Sequence, residues 1–229
     1  MKTGKIISLI GEDWFNLIGK EFYKDYLLDI GMKVAIERKS YKIYPESPED
    51  TFSVFRNLSP SNIKVVIIGQ DPYVRGEYDG KAFSNSEDLG KVSPSLKNIL
   101  KEVEDDVYDG LNLNGSSDLT RWEQQGVFLM NRSLTVREGA SNSHLYIKWH
   151  EFTNMVISKL SETYPEIVFM LWGANARSVN KYISTNRHLI LETGHPSPLS
   201  ANKGYWFGNK HFSKANSFLK EVGKTTIIW

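Results

Sequence analysis

The chain has 229 residues, of which 40% are hydrophobic, and this length is enough for one compact domain with a sizeable core. Its formal net charge of +1 neither requires nor excludes a nucleic-acid partner. The absence of cysteine excludes disulfides, thiolate zinc sites and cysteine-bound iron–sulfur clusters. Lys5, Glu12 and Asp13 interrupt the first apolar stretch, and no apolar run is long enough to span a bilayer.

From these properties we expect a single domain over residues 1–229, with a monomer as the default state and no membrane partner. The expected location is intracellular. It would be the cytoplasm in a bacterium or virus, and the nucleus or mitochondrion in a eukaryote.

An aromatic amphipathic stretch over residues 14–30 is followed by a turn-rich connection. The segment at 64–73 (KVVIIGQDPY) is the most informative in the chain. Its short run of Val and Ile predicts a strand buried on both faces, as in a parallel sheet. Gly69 permits a sharp exit and Pro72 removes a backbone donor, so Asp71 should lie at the carboxyl edge of the strand. Ligands bind at that edge in open α/β sheets, and the sequence therefore predicts an active-site turn.

Three later apolar runs, at 126–130, 167–172 and 188–191, also lead into polar or Gly/Pro-containing turns. Segments with helical periodicity lie between the runs or after them, at 95–105, 148–163 and 175–184. This alternation predicts an α/β fold with three layers, α/β/α, around a central, mainly parallel four-stranded sheet. Because parallel strands share one carboxyl edge, Asp71, Asn131 and His195 are expected to converge there.

The ordered set of motifs resembles the family 1 uracil-DNA glycosylases over nearly the whole chain. The matching segments are 69–73 (GQDPY), 82–84 (AFS), 94–96 (PSL), 129–131 (LMN), 134–137 (LTVR), 171–173 (LWG), 195–200 (HPSPLS) and 211–216 (HFSKAN). One pentapeptide alone would be modest evidence, whereas this ordered set, placed at predicted strand ends, is highly specific.

The resemblance implies hydrolysis of the bond between uracil and deoxyribose, which releases uracil and leaves an abasic site without any metal or organic cofactor. An ionised Asp71 would stabilise the positive charge on the sugar and orient or deprotonate the attacking water. His195 would donate a hydrogen bond to the pyrimidine O2, where negative charge accumulates. The prolines that follow His195 would restrict its loop.

Uracil recognition is assigned by the same resemblance. The amide of Asn131 can pair with O4 and N3–H of uracil, whereas cytosine presents the opposite pattern. The Tyr73 ring would block the space that the methyl group of thymine needs, and Phe83 would stack on the base. The backbone near Gln70 would complete the pocket.

DNA binding requires the nucleotide to be flipped out of the duplex. The resemblance places Leu199 as the wedge that fills the vacated stack, with Ser95, Ser197 and Ser200 on the phosphate backbone and Lys203 beside the wedge. The expected partners are uracil-containing DNA, single- or double-stranded, and a small acidic inhibitor protein that mimics DNA. Residues 195–229 carry five Lys and one acid, which suits a phosphate backbone.

The chain departs from the family pattern at several positions. Val74 stands where His is common, and Ala174 where Ser is usual. The loop at 204–208 is one residue longer than the common pattern. These changes predict an active enzyme whose contacts with DNA are modified.

Three other functions remain open from the residues alone. The chain could be a non-catalytic DNA-binding or replication-accessory protein on a glycosylase fold, or a glycosylase with wider base specificity. A segment with glycines at 76 and 80 followed by Lys81 also has some likeness to a phosphate-binding loop. It is one residue short and lacks the hydroxyl that would hold magnesium.

Overall fold

The structure is a computed structural model that describes residues 2–76, 78–86, 92–112 and 115–229. Its central sheet consists of β2 (Val65–Gly69), β3 (Val127–Asn131), β5 (Val168–Trp172) and β6 (Leu189–Thr193). These strands are all parallel and lie in the order β3-β2-β5-β6. Two short strands, β1 (Ile43–Tyr44) and β4 (Val136–Arg137), form a separate antiparallel pair.

Helices cover both faces of the central sheet. They are α1 (Thr3–Ile10), α2 (Glu12–Ile18), α3 (Asp25–Glu37), α4 (Pro94–Val107), α5 (Thr120–Glu123), α6 (Trp149–Thr163), α7 (Gly173–Arg177), α8 (Pro198–Ala201) and α9 (His211–Glu221). The predicted helices at 95–105 and 148–163 are confirmed as α4 and α6, with ends that differ by at most two residues. None of the helices in the described ranges is long and apolar enough to span a membrane.

Alternate side chains of each strand enter two different cores. Val66 and Ile68 of β2 pack in a core with side chains of α1, α2, α3 and α6. Val65 and Ile67 pack in a second core with side chains of α4, α5 and α9. This alternation is the period of two that a strand imposes on its side chains. The predicted α/β/α layers and the parallel four-stranded sheet are therefore confirmed, and the four strands end at one edge.

The helix predicted over residues 175–184 is wrong in extent. The chain instead forms α7 and then a separate 3-10 turn at Asn180–Tyr182. The carbonyl oxygen of Asn175 accepts hydrogen bonds from Arg132 Nη1 at 2.9 Å and from Ser178 Oγ at 2.7 Å. Because side chains occupy this carbonyl, the backbone after α7 continues through three-residue turns instead of α-helical hydrogen bonds.

Candidate active site

The Asp71 carboxylate lies half-buried in the turn that follows β2. Its Oδ2 atom accepts hydrogen bonds from Ser141 Oγ at 3.0 Å and from the backbone N–H of Asn142 at 2.6 Å. Gln70 Nε2 approaches the other oxygen, Oδ1, at 3.3 Å. These donors fix the orientation of the carboxylate at the carboxyl edge of the sheet. Sequence reasoning missed Ser141 and Asn142, since a polar turn is the only signal in that stretch.

Asn131 is the last residue of β3 and is 4% exposed. It pairs in the sheet with Gly69, the last residue of β2. A Cβ atom at position 69 would lie 2.1 Å from Asn131 Oδ1, so the amide lies across the backbone of Gly69. Any larger residue at position 69 would displace the amide. Glycine is therefore needed here for the close approach of a side chain, and it places the Asn131 amide beside the turn that carries Asp71.

Tyr73 and Phe83 form an aromatic wall of the site. Tyr73 Oη donates a hydrogen bond to the carbonyl oxygen of Phe83 at 3.0 Å and also pairs with Ser93 Oγ, the residue that caps α4. Phe83 has a φ of +65°, a left-handed conformation that costs a non-glycine residue about 1–2 kcal/mol. The Phe83 ring centroid lies 5.5 Å from that of Trp172 and 5.9 Å from that of His195. This strained backbone holds the Phe83 ring next to the predicted catalytic imidazole.

His195 follows β6 in a loop that fixes both its backbone and its ring. The backbone N–H of His195 donates to Ser200 Oγ at 3.1 Å, and the backbone N–H of Ser197 donates to His195 Nδ1 at 3.0 Å. Burial lowers the pKa of His195 below its ordinary value of 6.5, which keeps the ring neutral at pH 7. Because Nδ1 accepts a hydrogen bond, the proton of the neutral ring lies on Nε2. His195 therefore presents a neutral N–H donor.

Gly173, at the start of α7, allows the His195 loop to approach the end of β5. A Cβ atom at position 173 would lie 3.0 Å from His195 Cβ, and the residue has a φ of +84°. A cavity of about 290 Å³ opens at this edge, and Gly69, Gln70, Gly173 and His195 are among its lining residues. The structure therefore brings the residues that follow β2, β5 and β6 around one space.

The predicted DNA-binding residues lie mainly on α8 and just after it. Leu199 is 84% exposed on this short helix, and Lys203 is exposed after it. Ser197 and Ser200 are half-buried, and both contact the His195 loop as described above. Ser95 is the second residue of α4 and is half-buried. Asn98 of the same helix donates to the Pro196 carbonyl oxygen at 2.7 Å, which ties α4 to the His195 loop.

Lys203 and Lys224, two of the five lysines of the C-terminal segment, lie at opposite edges of the sheet, so the five do not all share one basic face as the sequence suggested. Lys224 Nζ donates to the carbonyl oxygens of Pro165 at 2.9 Å and Glu166 at 2.8 Å. Both residues precede β5, so Lys224 lies at the amino edge of the sheet, away from the site. Lys203 is at the carboxyl edge. The sign and spacing of the charges in the sequence do not show that these two lysines lie at opposite edges of the sheet.

In the segment with glycines at 76 and 80, which has some likeness to a phosphate-binding loop, the lysine is buried in ion pairs. Lys81 is 8% exposed, and its ammonium group lies 3.3 Å from Asp79 and 3.8 Å from Asp118. A buried lysine paired with carboxylates is unavailable to a nucleotide phosphate. Among the described residues, no group of three or more His, Asp or Glu side chains could hold a metal ion.

Known proteins are similar to this chain in sequence and in fold. A family model for the uracil DNA glycosylase superfamily matches residues 55–220. The uracil-DNA glycosylase of Fusobacterium nucleatum is 45% identical over 224 residues, which are 97% of each chain. That of Christiangramia forsetii is 43% identical over 221 residues, covering 96% of this chain and 98% of the relative.

Solved structures also match this chain over nearly its whole length. The crystal structure of mimivirus uracil-DNA glycosylase has a TM-score of 0.87 and 28% identity, over 98% of this chain and 88% of that chain. A mimivirus UNG variant in complex with UGI has a TM-score of 0.85 and 29% identity, over 95% and 87% of the two chains. The fold is therefore shared with these solved structures, and the match to the two bacterial relatives spans nearly the full length of both chains.

Proposed function

We propose that this chain, which belongs to the uracil DNA glycosylase superfamily and is an enzyme of that kind, cleaves uracil from DNA through Asp71, Asn131 and His195. One observation carries the proposal. A carboxylate, an amide and a neutral imidazole lie at or just after the carboxyl ends of three parallel strands, β2, β3 and β6, at the same edge of one sheet. Together they can stabilise the positive charge on the sugar, pair with the base and stabilise the negative charge on it.

Charge separation in the transition state explains the two catalytic residues. As the bond breaks, the sugar gains positive charge, and Asp71 stabilises it and orients or deprotonates the attacking water. The base gains negative charge, and the Nε2–H of His195 donates to its O2. The neutral ring, held by the Ser197 N–H, needs no reorganisation when this charge develops.

Uracil selection rests on the fixed amide of Asn131. Its donor and acceptor pair with O4 and N3–H of uracil, whereas cytosine would leave both unpaired. An unpaired buried polar group costs about 1–3 kcal/mol, so the two mismatches together give a large preference. The position of the amide over Gly69 leaves it little freedom to turn and accept cytosine.

The base pocket excludes thymine by steric contact with Tyr73. We expect Tyr73→Ala to release thymine from a thymine-containing oligonucleotide, and to release uracil about tenfold more slowly because the pocket is looser. Product analysis by chromatography after incubation with each substrate measures both activities. The native enzyme should release no thymine.

Tyr73→Phe is the matched control, because it keeps the ring but loses the hydroxyl that bonds to the Phe83 carbonyl and Ser93. It should still reject thymine. If the Ala variant also rejects thymine while it continues to release uracil, the steric account of specificity is wrong.

DNA binding involves the exposed face around α8. Leu199 enters the stack when the uracil nucleotide leaves it, and Ser95, Ser197, Ser200 and Lys203 contact the phosphates on either side. Ser200 has the further task of accepting the His195 backbone N–H, so phosphate binding and positioning of the imidazole share one side chain. Both single- and double-stranded DNA containing uracil are proposed substrates.

A small acidic protein that mimics DNA is proposed to bind the same face. The similarity of the fold to a mimivirus UNG variant in complex with UGI supports this proposal. Inhibition by UGI should be relieved by excess uracil-containing DNA if the two compete for one surface.

Uracil release from a labelled single-uracil oligonucleotide in EDTA tests the proposed reaction. Release should occur without metal, and strand breaks should appear only after alkali, because the product is an abasic site. DNA binding without release would instead favour the non-catalytic alternative, which the family assignment and the three grouped residues disfavour.

A further inference from the structure

A directed chain of hydrogen bonds leads into the Asp71 carboxylate. Gln70 Nε2 donates to Ser141 Oγ at 3.0 Å, and Ser141 Oγ lies 3.0 Å from Asp71 Oδ2. A hydroxyl has a single proton to donate and can accept at the same time. The amide of Gln70 is a donor to this hydroxyl, so the Ser141 proton points to the carboxylate.

The two oxygens of Asp71 are held unequally. Oδ2 accepts from Ser141 at 3.0 Å and from the Asn142 N–H at 2.6 Å. Oδ1 has longer contacts, at 3.3 Å, with Gln70 and Ser141. Strong donors therefore secure Oδ2, and Oδ1 retains the capacity to accept a proton or a hydrogen bond from water.

The turn that carries Ser141 is itself fixed to the catalytic turn. The backbone N–H of Gly139 donates to the carbonyl oxygen of Val74 at 2.7 Å. Arg137, just before the turn, forms an ion pair with Glu37 at 2.5 Å and stacks on Tyr41 at 3.9 Å. Asn142 has a φ of +63°, a conformation that Asn tolerates, within the turn that carries Ser141. The hydroxyl of Ser141 is thus held by contacts on both sides of it.

Val74 follows Tyr73 in the catalytic turn, and its side chain has no hydrogen-bonding group. The polar contacts of the Asp71 carboxylate therefore come from Gln70, Ser141 and Asn142. We propose that Ser141 is a positioning residue for Asp71 that supplies polar support to the carboxylate in this chain and selects Oδ1 as the oxygen that faces the water. The inference rests on the proposed role of Asp71.

Ser141→Ala removes the hydroxyl and the link to Gln70. The rate of uracil release in single-turnover reactions should fall about tenfold, with KM changed less than about twofold, since the lost contact acts on the carboxylate and not on DNA. Ser141→Thr keeps the hydroxyl and should recover at least half of the native rate. In an Asp71→Asn background, Ser141→Ala should cause no further loss, because no carboxylate remains to be oriented.

Ser143→Ala is the matched control. Ser143 Oγ accepts a hydrogen bond from the backbone N–H of Arg137 at 2.8 Å in the same segment and does not contact Asp71. Its rate should stay within twofold of the native rate. The proposal is overturned if Ser141→Ala keeps the native rate, if Thr fails to restore it, or if the loss is equally large without the carboxylate. Native activity together with loss in Asp71→Asn establishes the reaction separately, so these outcomes concern Ser141 alone.

Discussion

Replacing Asp71 with Asn should lower the single-turnover rate of uracil release by about 10³-fold, within the range of about 10²–10⁴ that general acid–base catalysis supplies. Asparagine has nearly the same shape but cannot take a proton from water or balance the charge on the sugar. Its amide would also bring a second donor toward Ser141 and the Asn142 N–H, which both donate to the carboxylate. KM should change little, because neither lost interaction binds the uncleaved substrate strongly.

The measurement uses a labelled oligonucleotide with one uracil, followed by alkali cleavage and electrophoresis. Asp29→Asn is a suitable control, since this carboxylate is half-exposed on α3 and pairs with Lys33 away from the site. It should retain native activity and a native melting temperature. A rate for Asp71→Asn within tenfold of native would exclude Asp71 from the role proposed for it.

The positions of Asp71, Asn131 and His195 at one sheet edge can be predicted from sequence because each of them lies within a few residues of the end of an apolar run. Asp71, Asn131 and His195 are placed by the ends of β2, β3 and β6, and the parallel order of the strands brings these ends to one edge. A continuous apolar run predicts a strand that is buried on both faces, and the alternation of strands and helices predicts that the strands are parallel. Both inferences can be made from the sequence alone.

Contacts between turns are harder to derive. Ser141 and Asn142 reach Asp71 only because the turn after β4 docks on the backbone of Val74, and no periodicity encodes that docking. The left-handed backbone of Phe83 is equally invisible in sequence, since few non-glycine residues adopt it. The position of a charged side chain is equally hard to predict from sequence. Lys224 lies at the amino edge of the sheet because of the path of the chain after α9.

Replacing His195 with Leu should lower the rate of uracil release by about 10²–10³-fold, the typical loss when one donor to a developing anion is removed. Leucine fills a similar volume next to Gly173 and the Phe83 ring, so the loop should keep its position. Nitrogen NMR of the native enzyme should find the His195 proton on Nε2 at pH 7. Since burial lowers the pKa of this ring, it should also remain mostly neutral at pH 6.5, where an ordinary histidine is half charged.

A substrate with a better leaving base distinguishes the role of His195 from that of Asp71. Fluorine at C5 withdraws electrons and stabilises the departing anion, so less stabilisation is required from His195. The loss caused by His195→Leu should therefore shrink by about tenfold on 5-fluorouracil-containing DNA, whereas the loss caused by Asp71→Asn should be the same on both substrates. Equal sensitivity in the two variants would show that His195 does not act on the base. A reduced loss in His195→Leu alone would place the developing negative charge beside Nε2.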